Sequence, residues 1–254
     1  MILDAFRLDG RTALVTGSSR GLGQGAAVAL AEAGADIALL DRGDATETAA
    51  AIEALGRRVH RVQLDFVSAA PEDYAAAVAE IEQALAPVDI LVNNAGTIRR
   101  APAAEHPVSD WDDVLAVNLD SVFHLSQAVG RGMIARGHGR IVNVASMLSF
   151  QGGILVPGYT ASKHAVSGLT KALANEWAAS GVTVNAIAPG YMATDNTAPL
   201  RADDDRAASI LSRIPAGRWG TPGDLQGAFV FLASDAAAYV TGAIIPVDGG
   251  WLVR

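Results

Sequence analysis

Thr12-Ala13-Leu14-Val15-Thr16-Gly17-Ser18-Ser19-Arg20-Gly21-Leu22-Gly23 is the stretch from which the rest of the chain can be read. Its first five residues are apolar or β-branched, the pattern of a short buried strand. Gly17, Gly21 and Gly23 then break the run, and apolar residues recur every three or four positions through residue 33, as in a helix. A strand that passes through glycines into a helix points that helix's orphan N–H groups and its dipole at whatever lies above the turn. Glycine lets the backbone turn tightly and approach a pyrophosphate closely. A glycine-rich loop alone can be no more than a turn, so its context decides. One βα unit later a second apolar run, 36–40, ends at Asp41. There a carboxylate can accept hydrogen bonds from both hydroxyls of an adenosine ribose.

Outward from this unit the alternation repeats. Strand-like runs fall at 12–16, 36–40, 59–64, 90–92, 140–144, 183–187 and 243–247. Helical patterns include 21–33, 46–55, 74–85, 111–134 and 159–178. Strands alternating with helices predict βαβ units and a parallel sheet covered on both faces. The expected fold class is α/β, a Rossmann-like doubly wound parallel sheet of about seven strands with helices on both faces. No Pro/Ser linker or charge block divides residues 1–254, so a single domain is expected. The least regular stretch, 190–213, is polar at its centre (Arg201, Asp203, Asp204, Asp205, Arg206) and reads as a substrate-side lid or, alternatively, as an acidic surface loop.

Composition narrows the function classes. Hydrophobic residues make up 50% of the 254, enough for a sizeable core. The net charge of −8 argues against nucleic acid, whose phosphates need a basic footprint. The chain has no cysteine, so neither disulfides nor thiolate metal sites are expected. His106, His124 and His164 share no metal-ligand spacing, and no metal is expected. No apolar run approaches the ~20 residues of a membrane helix, and residues 1–10 resemble neither a signal peptide nor an anchor; a cytoplasmic protein is the expectation.

The candidate cofactor residues are Gly17, Ser19, Arg20, Gly21, Leu22 and Gly23 in the first loop, Asp41 at the second strand end, Asp65 near an adenine amino group, and Asn93, Ala95 and Gly96 in the run Asn93-Asn94-Ala95-Gly96. Asp65 can equally cap its own loop, and the Asn/Gly run can be a turn. Asp41 repels a 2′-phosphate and favours NAD over NADP, whereas Arg20 or Arg42 could pair with that phosphate. At about 4 Å and a surface-like dielectric either charge pair is worth ~4 kcal/mol, so proximity decides. Asp41 is expected to stand closest to the ribose, giving NAD.

At the other end, Ser146 follows the strand 140–144, and Tyr159 and Lys163 lie one helical turn apart on one face. A phenol with pKa ~10 is a poor base at neutral pH. An adjacent ammonium, helped by a positive nicotinamide ring, favours the phenolate, and ~4 kcal/mol of attraction would bring Tyr159 near 7, where general acid–base catalysis works best. The Ser146 hydroxyl can hydrogen-bond a substrate oxygen as negative charge builds on it. A Tyr-x-x-x-Lys pair arises by chance in many helices, but with the glycine loop, the Asn93–Gly96 run and the upstream serine it forms a specific set.

On these residues the chain resembles the short-chain dehydrogenase/reductase family over essentially its whole length. The family's Thr-Gly-x-x-x-Gly-x-Gly falls on Thr16 to Gly23, its Asn-Asn-Ala-Gly on Asn93 to Gly96, and its Ser–Tyr–Lys triad on Ser146, Tyr159 and Lys163. The resemblance implies a fourth catalytic residue at Asn118, cofactor contacts at Tyr159, Lys163, Pro189, Gly190 and Thr194, seven strands, and a homotetramer. Segments beyond these motifs (2–6, 97–100, 146–153, 175–177, 191–196, 214–220 and 248–252) resemble the branch of the family that acts on sugar acids of the 2-keto-3-deoxygluconate and 2-deoxygluconate type. That implies reversible oxidation of a secondary alcohol to a ketone with NAD. An anionic sugar acid needs a cation, and Arg99, Arg100 and Arg201 are candidates, with Gln151 for a hydroxyl. Arg99 and Arg100 could instead lie at a subunit contact. Trp177, Trp219 and Trp251 are expected to pack. Two rivals remain: an NADP-preferring 3-oxoacyl reductase that uses an acidic carrier protein, which Asp41 disfavours, and a non-catalytic NAD-sensing protein, which has no need of all four catalytic groups.

Overall fold

The computed structural model describes residues 1–254. Seven strands, β1 (Thr12–Thr16), β2 (Asp36–Asp41), β3 (Val59–Gln63), β4 (Ile90–Asn93), β5 (Gly139–Val144), β6 (Val182–Pro189) and β7 (Ile244–Val247), form one sheet in the order β3-β2-β1-β4-β5-β6-β7. Every pairing is parallel. The order reverses between β1 and β4, and in open α/β sheets the crevice above such a switch point receives ligands.

The helices are α1 (Gly21–Glu32), α2 (Thr46–Ala54), α3 (Pro71–Ala84), α4 (Val108–Leu115), α5 (Ser121–Arg136), α6 (Pro157–Trp177), α7 (Ala198–Arg201), α8 (Asp204–Leu211) and α9 (Gly223–Ala233). Strand residues alternate between two cores. Ala13, Val15, Ile37 and Leu39 pack with α1, α2 and α9, whereas Leu14, Ala38 and Leu40 pack with α3, α5 and α6. A strand buried on both faces has no polar side to spare, which is why β1 and β2 read as unbroken apolar runs. No helix is long and apolar enough to cross a membrane.

Two expectations change. The helical pattern 111–134 is not one helix: α4 stops at Leu115, a π-helical turn spans Ala116–Asp120, and α5 follows. The wider turn keeps the chain helical, so apolar periodicity runs through it unseen. The stretch 190–213 is also more ordered than its polarity predicts, because α7 and α8 form within it. Asp203 caps α8 by accepting from the Arg206 N–H at 3.0 Å, and Ile210 is buried beneath it.

Candidate active site

The glycine loop is held by its own packing and by the run after β4. Gly17 and Gly21 have φ of 61° and 60°, in the left-handed region that favours glycine. A Cβ on Gly17 would stand 2.8 Å from Ala95 Cα, and one on Gly23 would stand 2.1 Å from the Gly17 carbonyl oxygen. Asn94 Nδ2 donates to the carbonyls of Thr16 (2.9 Å) and Gly17 (3.0 Å), and Thr16 Oγ1 accepts from the N–H groups of Asn94 and Ala95 at 3.0 and 2.9 Å. Asn94 is therefore the clasp of the loop. Asn93 turns under the sheet, donating to Asn143 Oδ1 at 2.9 Å and Ser126 Oγ at 3.2 Å, while Gly96 faces the crevice. Above Gly21 only Thr194 Cγ2 comes within 4 Å of where a Cβ would stand, at 3.9 Å. This open cradle at the N-terminus of α1 fits the pyrophosphate of a dinucleotide.

The remaining cofactor candidates spread along the same edge. Both Asp41 carboxylate oxygens accept from backbone, Ser19 N–H at 2.8 Å and Gly43 N–H at 2.9 Å. Asp65 is exposed and caps its own turn, accepting from Val67 N–H at 3.1 Å. Arg20 meets Asp195 at 3.0 Å across the crevice, both largely exposed. Leu22 leans on the core beneath. Pro189 ends β6, and Gly190 allows the chain past Asp248, whose Cα lies 2.5 Å from where a Cβ would stand.

At the other side of the crevice, Ser146 lies just past β5, and its Oγ accepts from the Leu148 N–H at 3.1 Å. The hydroxyl proton is left to donate. Tyr159 sits in the first turn of α6, which opens at Pro157, a residue suited to the first helical position. Lys163 is buried one turn on; its Nζ donates to the Val144 carbonyl at 2.7 Å and lies 5.6 Å from the Tyr159 ring centroid. Burial pushes the Lys163 ammonium down to about 8. Burial pushes the Tyr159 phenol up, against a hydrogen bond with Ser146 and the charge of Arg100, both of which lower it. Desolvation is the largest of these influences, and the Lys163 ammonium is turned to the Val144 carbonyl.

Asn118 is fully buried in the π-helical turn. Its Oδ1 accepts from the Thr97 N–H at 2.8 Å, and its Nδ2 donates to the Thr97 carbonyl at 3.0 Å and Ser162 Oγ at 3.1 Å. Ser162 in turn donates to the Tyr159 carbonyl at 2.8 Å, and Ser149 Oγ donates to the Lys163 carbonyl at 2.7 Å. The sequence reading did not single out Ser149 or Ser162. For Ser149 a signal existed: with Ser146 it forms a reciprocal capping box around the turn Met147–Ser149.

The four substrate candidates are not gathered at one point. Arg99 is engaged by Asp113 (3.2 Å), Asp110 (3.6 Å) and Thr97 Oγ1 (3.0 Å). Arg201 folds onto its own segment, donating to the Thr194 carbonyl at 3.2 Å. Gln151 is partly exposed in the loop between Ser146 and α6. Arg100 donates to the Asn196 carbonyl at 3.4 Å, and its charge reaches Tyr159. The segment after Gly190 leaves and returns through one neck, where Met192 pairs with Gly220 and Ala193 N–H donates to the Gly220 carbonyl at 2.7 Å. Beneath it Met147, Ile210, Ile214 and Trp251 form a small buried cluster, and Tyr191 is wedged between Trp219 and Trp251 at centroid distances of 5.5 and 4.8 Å. Met147 adjoins Ser146, so this cluster joins the segment to the turn that follows Ser146.

A family model described as enoyl-(acyl carrier protein) reductase matches residues 17–252. The 2-dehydro-3-deoxy-D-gluconate 5-dehydrogenase of Dickeya dadantii is 57% identical over 258 residues, covering 100% of both chains. Its Bacillus subtilis namesake is 57% identical over 253 residues, covering 99% of this chain and 98% of the relative. Among solved structures, the gluconate 5-dehydrogenase of Burkholderia cenocepacia, in complex with NADP and tartrate, has a TM-score of 0.95 at 42% identity, covering 100% of both chains. An Agrobacterium tumefaciens protein assigned as a 2-deoxy-D-gluconate 3-dehydrogenase, with bound NADP, has a TM-score of 0.91 at 54% identity, covering 98% of this chain and 99% of that one.

Proposed function

The chain belongs to the short-chain dehydrogenase/reductase family, and we propose that it interconverts a secondary alcohol and a ketone on a sugar acid of the 2-keto-3-deoxygluconate or 2-deoxygluconate type, with NAD as the preferred cofactor. The substrate class is supported by full-length identity to relatives of that activity, and Arg100 supplies a cation for the carboxylate beside the reacting group. The preference for NAD is supported by Asp41, the only one of the three charged candidates whose side chain is held at the β2 end by two backbone bonds. Two solved relatives hold NADP, so NADP is the cofactor against which the preference is tested. We place the enzyme in the cytoplasm, with the soluble nicotinamide pools. A homotetramer is supported by Trp111 and Phe123, apolar side chains 38% and 41% exposed on α4 and α5.

The glycine loop, Asp41 and the Asn93–Gly96 run would hold a nicotinamide dinucleotide, which would supply or accept the hydride. The chain's residues do the rest. Tyr159 Oη takes the alcohol proton on oxidation and returns it to the carbonyl oxygen on reduction. Ser146 donates a hydrogen bond to the same oxygen, where charge develops. Burial disfavours the phenolate, which suits Tyr159 as the acid of ketone reduction; the Ser146 hydrogen bond and Arg100 favour the phenolate required for oxidation. Lys163, lowered to about 8, can exchange its own proton near neutral pH, and Asn118 fixes the Thr97 backbone beside it. The segment 190–213 serves as a lid over the substrate.

One observation carries the reading of reaction type: Ser146, Tyr159, Lys163 and Asn118 converge at the strand ends opposite the open cradle of Gly21. The test is reduction of NAD and NADP by the purified enzyme over a panel of hexonates and deoxyhexonates, with neutral sugars and simple alcohols as controls. Activity confined to neutral substrates would refute the sugar-acid assignment.

A further inference from the structure

We propose that Thr48, in the first turn of α2, is a positioning residue for the cofactor: it clamps the Ser18–Ser19 peptide of the glycine loop and thereby sets both the cradle and the aim of Asp41. Thr48 is fully buried, and its Oγ1 donates to the Ser18 carbonyl at 2.9 Å, with the Ser19 carbonyl a weaker second acceptor at 3.3 Å. In a trans peptide the C=O of one residue and the N–H of the next point in opposite directions. The Ser18 carbonyl is held by Thr48, and the N–H of the same peptide is held from the other side by Asp41 Oδ2 at 2.8 Å. One peptide unit is thus gripped at both ends. Turning the Ser19 carbonyl toward α2 likewise turns the Arg20 N–H away from α2, toward the crevice.

Packing of α2 does not require this hydroxyl. Ala45, Ala49 and Ile52 already bury the helix against the core, and valine at position 48 would fill the same volume without a polar group to desolvate. Nor does the loop's own serine supply the grip, because Ser18 Oγ is buried and makes no hydrogen bond. The hydroxyl at 48 is spent on the backbone that receives the dinucleotide. Its loss frees the peptide to rotate, tilts the cradle and releases one of the two backbone bonds that fix the Asp41 carboxylate.

The inference rests on the dinucleotide reading of the crevice, and the test separates the two. NADH and NADPH are titrated into the full chain by fluorescence, for the wild type, Thr48→Val and Thr48→Ser. Thr48→Val is expected to weaken NADH about 2- to 12-fold, the range of one net hydrogen bond, and to weaken NADPH less, because NADPH gains least from a well-aimed Asp41. At saturating cofactor, kcat and the KM of the sugar acid stay within about twofold, and Thr48→Ser, which keeps the hydroxyl, binds NADH as the wild type does. Should Thr48→Val fail to fold, Thr48→Ala carries the same comparison. Unchanged NADH affinity in Thr48→Val, equal losses in cofactor affinity, KM and kcat, or a serine variant as weak as the valine one would each overturn the clamp. A wild type that binds neither nucleotide would overturn the dinucleotide reading along with it.

Discussion

The crevice has two ends built in different ways. The cradle end is almost entirely backbone: Gly17, Gly21 and Gly23 shape it, and Asn94, Thr16, Asp41 and Thr48 hold its peptides through bonds of 2.8–3.0 Å. The reactive end is side chains, buried at a cost, on segments brought together from α6, the turn after β5, the π-helical turn and the stretch after Gly190. The first end needs a fixed shape and has no proton to move. The second needs groups that exchange protons, so its burial works against the charges it requires. The cradle is expected to respond to substitution through cofactor affinity, and the reactive end through rate and pH.

The sharpest break of that contrast is Tyr159→Phe. It removes the oxygen proposed to transfer the proton and leaves the ring, so turnover should fall roughly 10²–10⁴-fold while NADH affinity and Tm stay near wild type. A variant that keeps its rate would move the reactive end elsewhere. Lys163→Met probes the burial cost directly. The lysine is lowered from 10.5 to about 8 in the native state. Between those values the unfolded chain holds more protons than the native one, so stability rises with pH across that window, and below about 8 the native state bears the whole cost. Removing the ammonium should therefore stabilise the protein at pH ~7 by at most about 3 kcal/mol, at 1.36 kcal/mol per unit, while abolishing activity. Thermal unfolding at pH ~7 and ~10 checks this: the advantage of the variant should shrink at the higher pH, and a loss of stability at both would show the Nζ bond to Val144 outweighing desolvation.

The same contrast explains what could be read from sequence. The cradle is contiguous, and glycines at 17, 21 and 23 are there for local steric reasons that a sequence displays. The strands were legible because burial on both faces leaves an apolar run that a parallel sheet requires; β1 was anticipated residue for residue and β6 grew from 183–187 to Val182–Pro189. The helix break at Ala116–Asp120 was not legible, since a π-helical turn leaves no gap in periodicity. The partners of Arg99, Arg100 and Arg201 were equally hidden: three arginines look alike in sequence, and only the tertiary fold gives Asp113 to the first, the Asn196 carbonyl to the second and the Thr194 carbonyl to the third. Thr48 was silent because a threonine in a first helical turn ordinarily does nothing beyond it.

Those arginines give the next test. Hydrogen bonds to charged groups contribute about 1.5–3 kcal/mol, so Arg100→Ala should lower kcat/KM on a sugar acid by roughly 10- to 150-fold. The loss should vanish for an analogue whose carboxylate is reduced to an alcohol. Arg99→Ala should leave kinetics nearly intact and cost no more than about 1 kcal/mol of stability, since its ion pairs with Asp113 and Asp110 are partly exposed. If Arg99→Ala alone loses the carboxylate-dependent rate, the ion pairs open when substrate binds, and the ranking reverses.

The effect expected at Asp41 bears hardest on how the cradle works. If Asp41 were only a negative charge opposed to a 2′-phosphate, Asp41→Ala would leave NAD binding intact and raise NADP affinity, with Arg20 and Arg42 taking the phosphate. The structure gives Asp41 a second task, because its two oxygens hold the N–H groups of Ser19 and Gly43. Removing it should therefore weaken NAD by about 2- to 12-fold per lost net bond, and NADP should gain little, since relief of repulsion is offset by a loosened loop. The preference narrows chiefly through lost NAD affinity. Asp41→Asn separates the two tasks further: its single carbonyl oxygen can replace one of the two backbone bonds while the charge is gone, so it should bind NADP better than Asp41→Ala does. Titrating both nucleotides against the wild type and the two variants decides the matter. A wild type that prefers NADP would mean that Arg20 and Arg42 outweigh the carboxylate, and a Asp41→Ala variant that gains NADP with NAD unchanged would leave the carboxylate as a charge alone.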